Sequence, residues 1–253
     1  IFMNLPKLGI NIDHVATLRQ QRDEHYPCVV KAANICLESG ADQITIHLRE
    51  DRRHIQDFDV KAVCEVTKQF NKPLNLEIGC IPEIVNIAIN IAPEWVCLVP
   101  ENREEKTTEG GLNLTRDPIF QKVKETCEKL KTETPNSKIS LFLESNNQIL
   151  AKAAELPIDA VEIHTGDFAR AHINNENTEE LLKSFENSLI FLKSKDIACH
   201  AGHGLTINSV KPLVEKNLFQ EYNIGHWVIA VSVYEGLKNV VRDLKNTLNG
   251  NNL

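Results

Sequence analysis

Short runs rich in β-branched and apolar residues alternate with longer stretches of helical period along the whole chain. Residues 8–13, 42–48, 73–78, 95–99, 138–143, 160–164, 196–200 and 222–230 read as eight strands. Between them, 29–38, 59–70, 83–90, 118–131, 148–156, 179–193, 209–215 and 233–248 carry the helical pattern. Over 179–193 the stripe is Leu181, Leu182, Phe185, Leu189, Ile190 and Phe191. Asp57 and the pair Asn208-Ser209 precede helical runs as cap-type residues.

Strand–helix alternation demands parallel pairing through right-handed crossovers, and eight such units close a barrel. A doubly wound open sheet is the alternative, but it carries a glycine-rich turn after its first strand. Here the first strand ends Asn11-Ile12-Asp13-His14, with no glycine after Gly9. No linker, repeat or low-complexity tract divides the chain. The expectation is one (β/α)8 TIM barrel over residues 1–253. Two connections are long for a compact domain: 101–115, which holds Gly110-Gly111, and 166–178, polar and Asn-rich. Both follow strands, so both are expected on the active face, as lids or disordered segments.

Composition narrows the classes. The 253 residues carry 28 Lys+Arg against 35 Asp+Glu, a net charge of −7, with 42% hydrophobic residues. That balance argues against a general nucleic-acid or anionic-membrane surface, and no run of about 18 apolar residues is present to span a bilayer. The stretch Ile1 to Lys7 is too short for a secretory leader, and Met3 reads as a natural start. Seven cysteines, none in a Cys-x-x-Cys pair and five inside apolar patterns, read as buried thiols in a reducing cytoplasm.

In a barrel, functional side chains collect at the carboxyl ends of the strands. Those ends carry Asn11, Asp13 and His14, His47 and Arg49, Glu77, Glu101, Glu144, then Glu162, His164 and Thr165. The seventh strand runs into His200-Ala201-Gly202-His203-Gly204 and the eighth contains Gly225-His226. Six of the nine histidines fall in this set and helix interiors hold none, by this reading. Gly79, Gly110, Gly111, Gly166, Gly202, Gly204 and Gly225 follow or end strands. The Gly202–Gly204 and Gly225 turns suit phosphate capture by backbone amides. The charge run 47–54 offers Arg49, Arg52, Arg53 and His54 to a second anion, with Arg19 and Arg22 available to either.

Histidine and carboxylate at several strand ends also suits a barrel metallohydrolase. Such sites open with His-x-His on the first strand, whereas adjacent Asp13 and His14 would point to opposite faces of a strand. No Gly-x-Ser-x-Gly elbow is present for a serine hydrolase. The residues therefore describe a cofactor-free, metal-free enzyme with two anion pockets and a His/Glu cluster for proton transfer, against two rivals: the metal enzyme and a phosphate-metabolite sensor.

Six blocks in order, 9–19, 47–57, 98–101 with 107–111, 162–166, 201–205 and 223–226, resemble the pyridoxine 5′-phosphate synthase family, with the likeness running from Leu8 to about Leu248. The resemblance implies a cytoplasmic homo-octamer of barrels, working without metal or organic cofactor. Its reaction condenses 1-deoxy-D-xylulose 5-phosphate with 3-amino-2-oxopropyl phosphate to pyridoxine 5′-phosphate, phosphate and water. Matched to the family, His47 is the general base, Glu77 a second acid/base residue, His203 the proton donor and Glu162 a transition-state stabiliser. Asp13, His14, Arg49, His54 and Thr107 match contacts to the pentulose phosphate. Asn11, Arg22, Gly204, Gly225 and His226 match contacts to the amino-ketone phosphate. Glu77, at the mouth of a barrel expected to be apolar, should have a raised pKa. The 101–115 connection is expected to close over the first substrate. The chain departs from the family after Glu77, where Ile78-Gly79 replaces Met-Ala, and after His226, where Val231 stands in place of an arginine.

Overall fold

Eight parallel strands pair in sequence order and close on themselves in the computed structural model of the chain, which describes residues 5–22, 24–101 and 110–250. The strands are β1 (Lys7–Asn11), β2 (Gln43–Leu48), β3 (Leu74–Ile78), β4 (Trp95–Leu98), β5 (Lys138–Leu143), β6 (Ala160–His164), β7 (Ala198–Gly202) and β8 (Glu221–Ile224). Closure comes from β1 against β8, with Lys7 opposite Glu221 and Ile10 opposite Ile224.

After β1 come α1 (Asp13–Gln20) and α2 (Val29–Glu38); α3 (Asp57–Gln69) follows β2 and α4 (Pro82–Ile91) follows β3. Next are α5 (Asp117–Glu133), α6 (Asn147–Ala153), α7 (Gly166–Ile173) and α8 (Glu179–Ser194). The chain then adds α9 (Ile207–Glu215), α10 (His226–Glu235) and α11 (Leu237–Leu248). The barrel class expected from the alternation is observed, with most boundaries within two residues.

The period-2 alternation of each strand sorts side chains between two layers. Leu8, Ile10, Ile44, Ile46, Leu76, Val96, Leu141 and Val161 are fully buried in one cluster with helix residues such as Val60, Val63 and Leu244. That outer layer is the main hydrophobic core. The barrel interior is polar, contrary to the apolar one expected. Gln43 Nε2 donates to Glu221 Oε1 at 2.8 Å, and Asn223 Nδ2 donates to Glu162 Oε2 at 2.8 Å. Thr45 Oγ1 donates to Asn223 Oδ1 at 3.2 Å. These bonds join non-neighbouring strands, so they run through the lumen. They pass over Gly9 and Gly202, where an added Cβ would lie 1.8 Å from Asn223 Oδ1 and from Glu162 Oε1 respectively. The apolar part of the lumen is the small cluster of Cys97, Val99 and Phe142.

Several expectations need correction. Residues 222–230 are not one strand: β8 stops at Ile224, and the apolar run Trp227 to Val231 is the start of α10. A short apolar run has no period that separates strand from buried helix. The expected helix 233–248 is broken at Gly236, with φ +78°, between α10 and α11. Residues 166–173 of the expected 166–178 loop form α7, with Phe168, Ala169 and Ala171 buried on one side and His172 in the helix; only 174–178 is loop. The first long turn likewise holds α1. The seventh strand starts two residues late because Asp196 takes a left-handed turn, φ +57°. At α3 the cap is Gln56, whose amide is bonded by Asp59; at α9 it is Thr206, paired with Ser209. Met3, Thr107 and most of the 101–115 connection lie outside the described residues.

Candidate active site

The carboxyl ends of the strands open into one cavity of about 730 Å³. It is lined by Asn11, Asp13, His14, His47, Arg49, His54, Glu77, Glu162, His203, Gly204, Gly225 and His226, so twelve of the fourteen residues singled out from sequence meet there. Of the other two, Arg22 is exposed beyond α1 and does not line the cavity, and Thr107 is outside the described residues. Asp13 and His14 both reach the cavity because they open a helix; the opposite-face argument held only for a strand.

His47, at the end of β2, stands between two carboxyl groups. Its Nε2 lies 3.1 Å from Glu101 Oε1, and its Nδ1 lies 3.9 Å from Glu77 Oε2. Burial raises the Glu101 carboxyl, but the contact with His47 outweighs it and leaves Glu101 below the usual range, hence ionised. The imidazole must then donate from Nε2, with Nδ1 turned to the Glu77 side. Glu101 also accepts from the Gly79 amide at 3.0 Å and the Glu50 amide at 3.1 Å. It therefore joins three strand ends. Glu101 carried no assigned role in the sequence; its position at the end of the fourth strand was the only signal.

Glu77 and Glu162 are the other carboxyls of the cluster. Burial, then the repulsion of Glu162 and Asp13, holds the Glu77 pKa well above the ordinary value. Burial pushes Glu162 up to about 8 against the Asn223 hydrogen bond, with Glu221 adding repulsion. Glu162 therefore keeps its proton at neutral pH, and Glu77 is shifted in the same direction. The histidines shift the other way. Burial, then neighbouring His164, pushes His203 down to about 4, and burial also lowers His14 and His54. Burial thus biases the carboxyls toward protonation and these imidazoles toward the neutral form.

Cations gather on one side. Arg49 and Arg53 line the cavity beside His54, with Asp51 between them; burial raises Asp51, but Arg53 and Arg49 bring it down to about 2. Arg52 turns away to Asp57 and Glu83. Arg19 is no anion ligand: it makes two bonds to buried Asp59 at 2.7 and 2.8 Å, and its Nη2 reaches the His54 carbonyl at 3.4 Å. On the other side, Gly204, Gly225 and His226 line the cavity where α10 begins, and the first amides of a helix suit an anion. His200 is not at this end of the barrel. It packs edge-on against Trp95, the first residue of β4, and lies 3.5 Å from Glu221, the first residue of β8.

Asp13, His47 and His54 each bring one ligand atom to within 4.8 Å of the others. A tetrahedral zinc takes four ligands, and this trio supplies three. Asp13 is also committed, accepting from the His47 amide at 2.8 Å and from Asn11 Nδ2 at 2.8 Å.

A closed parallel barrel with acidic, basic and cationic side chains converging at its carboxyl end has the form of a (β/α)8-barrel enzyme. The chain belongs to the family described as pyridoxal phosphate biosynthesis protein PdxJ, whose family model matches residues 8–250. A pyridoxine 5′-phosphate synthase of Sulfurihydrogenibium sp. is 41% identical over 240 residues, covering 94% of this chain and 96% of the relative. One from Coxiella burnetii is 41% identical over 246 residues, covering 96% and 98%. Among solved structures, thiamine phosphate pyrophosphorylase from Pyrococcus furiosus superposes with a TM-score of 0.63 at 14% identity, covering 99% and 98%. That likeness concerns the fold alone.

Proposed function

We propose that the chain is a pyridoxine 5′-phosphate synthase, condensing 1-deoxy-D-xylulose 5-phosphate with 3-amino-2-oxopropyl phosphate to pyridoxine 5′-phosphate, phosphate and water. Family membership supports the reaction. The observation that carries it to these residues is His47, fixed between Glu101 and Glu77 in the same cavity as Glu162 and His203.

The reaction needs an amine to add to a ketone, water and phosphate to leave, and a ring to close and aromatise. Each step moves a proton. His47, with Nε2 committed to Glu101, takes a proton at Nδ1. Glu77, whose buried carboxyl is shifted toward the protonated form, gives one to a departing hydroxyl and takes it back at ring closure. Asn223 holds one oxygen of Glu162, so its acid proton sits on the oxygen beside Gly202. Burial and neighbouring His164 keep His203 neutral at pH 7. To act as proton donor it must gain its proton within the cycle, and the dianionic phosphates supply the charge that favours this. The pentulose phosphate is assigned to Arg49, His54, Asp13, His14 and Thr107. The amino-ketone phosphate is assigned to Gly204, Gly225, His226 and Asn11, with Arg22 from outside the described cavity. A homo-octamer in the cytoplasm is part of the same reading, which requires no metal or organic cofactor.

The test is to mix chelator-treated enzyme with both phosphates and follow pyridoxine 5′-phosphate and inorganic phosphate together. Equal release of both is expected, and neither product would overturn the reading. His47→Ala should lower kcat by roughly 10²- to 10⁴-fold with the circular dichroism spectrum unchanged. Activity within a few-fold of the parent would remove His47 from the role of base.

A further inference from the structure

Next to His203 lies a pair that does not itself line the cavity. Glu144, just beyond β5, accepts at Oε1 from His164 Nδ1 at 2.8 Å and from the Gly111 amide at 3.0 Å. Burial raises the Glu144 carboxyl, but those contacts outweigh it and keep it ionised. An ionised carboxylate only accepts, so the proton of this bond sits on His164 Nδ1. The tautomer and plane of the His164 ring are thereby set.

The His164 ring meets His203 with centroids 5.1 Å apart at 54°. Phe142 supports both rings, at 5.5 Å from His164 and 6.4 Å from His203. The two residues after His164 serve the same neighbour. Thr165 Oγ1 donates to the carbonyls of Gly202 and His203, each at 2.8 Å. Gly166 provides the clearance: a Cβ there would fall 2.5 Å from His164 Nε2 and 3.1 Å from His203 Cδ2. His203 itself has φ +77°, a left-handed conformation that costs a non-glycine residue energy and persists only when its surroundings hold it. Three consecutive residues of β6 and α7 thus hold one histidine of β7's end, and Glu144 holds the first of the three.

We propose that Glu144 and His164 are positioning residues for His203: the carboxylate locks the His164 ring, and that ring fixes the imidazole of His203 toward the reacting carbons. The proposal rests on the role given to His203 above. A surface ion pair would be dispensable, since Glu144 is 41% exposed and such pairs contribute little. The proposal instead assigns the pair an effect on turnover that is transmitted through His203.

Glu144→Ala is the first variant, because an exposed position tolerates truncation. Its kcat should fall on the order of 10²-fold, with KM for both phosphates within about two-fold. Glu144→Gln, which keeps an acceptor for His164 Nδ1, should recover part of that loss. In a His203→Asn background, Glu144→Ala should cost nothing further, because its effect passes through the missing ring. Nitrogen-15 spectra of the His203 imidazole read the pair without substrate, so this arm stands even if the functional reading fails. His164→Gln should move the His203 titration midpoint upward. Undiminished kcat in Glu144→Ala, an equal loss with and without His203, or an unmoved His203 midpoint would each overturn the proposal.

Discussion

Glu162→Gln separates the cost of a stored proton from its use. Glu162 is 4% exposed, with Asn223 Nδ2 bonded to one oxygen and Glu221 nearby. In the unfolded chain its carboxyl ionises near 4.5, whereas in the fold it does so near 8. Between those values the unfolded state has released the proton and the folded state still holds it. Stability therefore falls as pH rises through this window, by about 1.4 kcal/mol per pH unit. The full window of about 3.5 units sets an upper bound of about 5 kcal/mol; relaxation and water entry leave roughly 2 kcal/mol or more. Glutamine keeps the shape of the neutral acid and an acceptor for Asn223, but has no proton to lose. Urea unfolding of both proteins at pH 5, 6.5 and 8.5 is the assay. The variant should match the parent near pH 5 and exceed it by about 2 kcal/mol or more at pH 8.5, while making no product at any pH. A constant offset across the three pH values would refute the argument that Glu162 is protonated in the fold.

Two further substitutions test the frame around the site. Gly202→Ala brings a Cβ to 1.8 Å from Glu162 Oε1, so Glu162 must leave Asn223, and kcat should drop roughly 10²-fold. The control Gly236→Ala meets nothing within 4 Å and should cost about 1–2 kcal/mol from its φ of +78°, with kcat unchanged; comparable kcat in the two variants would refute the close-approach argument. Arg19→Ala strands the buried Asp59 carboxylate and should cost about 3–5 kcal/mol by urea unfolding. It also frees the His54 carbonyl and should raise KM for the pentulose phosphate; an unchanged KM would show that His54 is held by other contacts.

The strands were legible because their outward faces are simple: Ile44, Ile46 and Leu48, or Ile139, Leu141 and Leu143, alternate without interruption. Turn residues mark where each run ends. What one chain cannot display is which residues share the inner face, because Gln43, Asn75, Glu221 and Asn223 read as ordinary polar positions until closure brings them together. The same closure put His200 and His203, three residues apart, at different depths: His200 beside Glu221, and His203 on the cavity. Sequence order gave the strand ends and so most of the site. It did not give Glu101 against His47, a contact that spans 54 residues. Two of the missed helices, α7 and α10, failed for opposite reasons. α7 looks too polar, having one buried side, and α10 looks too apolar, having residues such as Val233 and Tyr234 exposed.

The closure of β1 on β8 also dictates how the chain can be made. Lys7 leaves the ribosome early and pairs with Glu221. At roughly 5–20 residues per second, that partner follows on the order of 10–40 s later. Throughout that interval the first strand has β2 on one side and an open edge on the other, and each newly made strand presents another. The same late segment supplies Lys245, whose ammonium reaches Asp42 at 2.6 Å beside the start of the barrel. A nascent chain stalled before residue 221 would expose two unpaired edges flanked by the apolar outer faces of its strands. Chaperone demand and aggregation of truncated products should therefore peak just short of the eighth strand and fall once it is made.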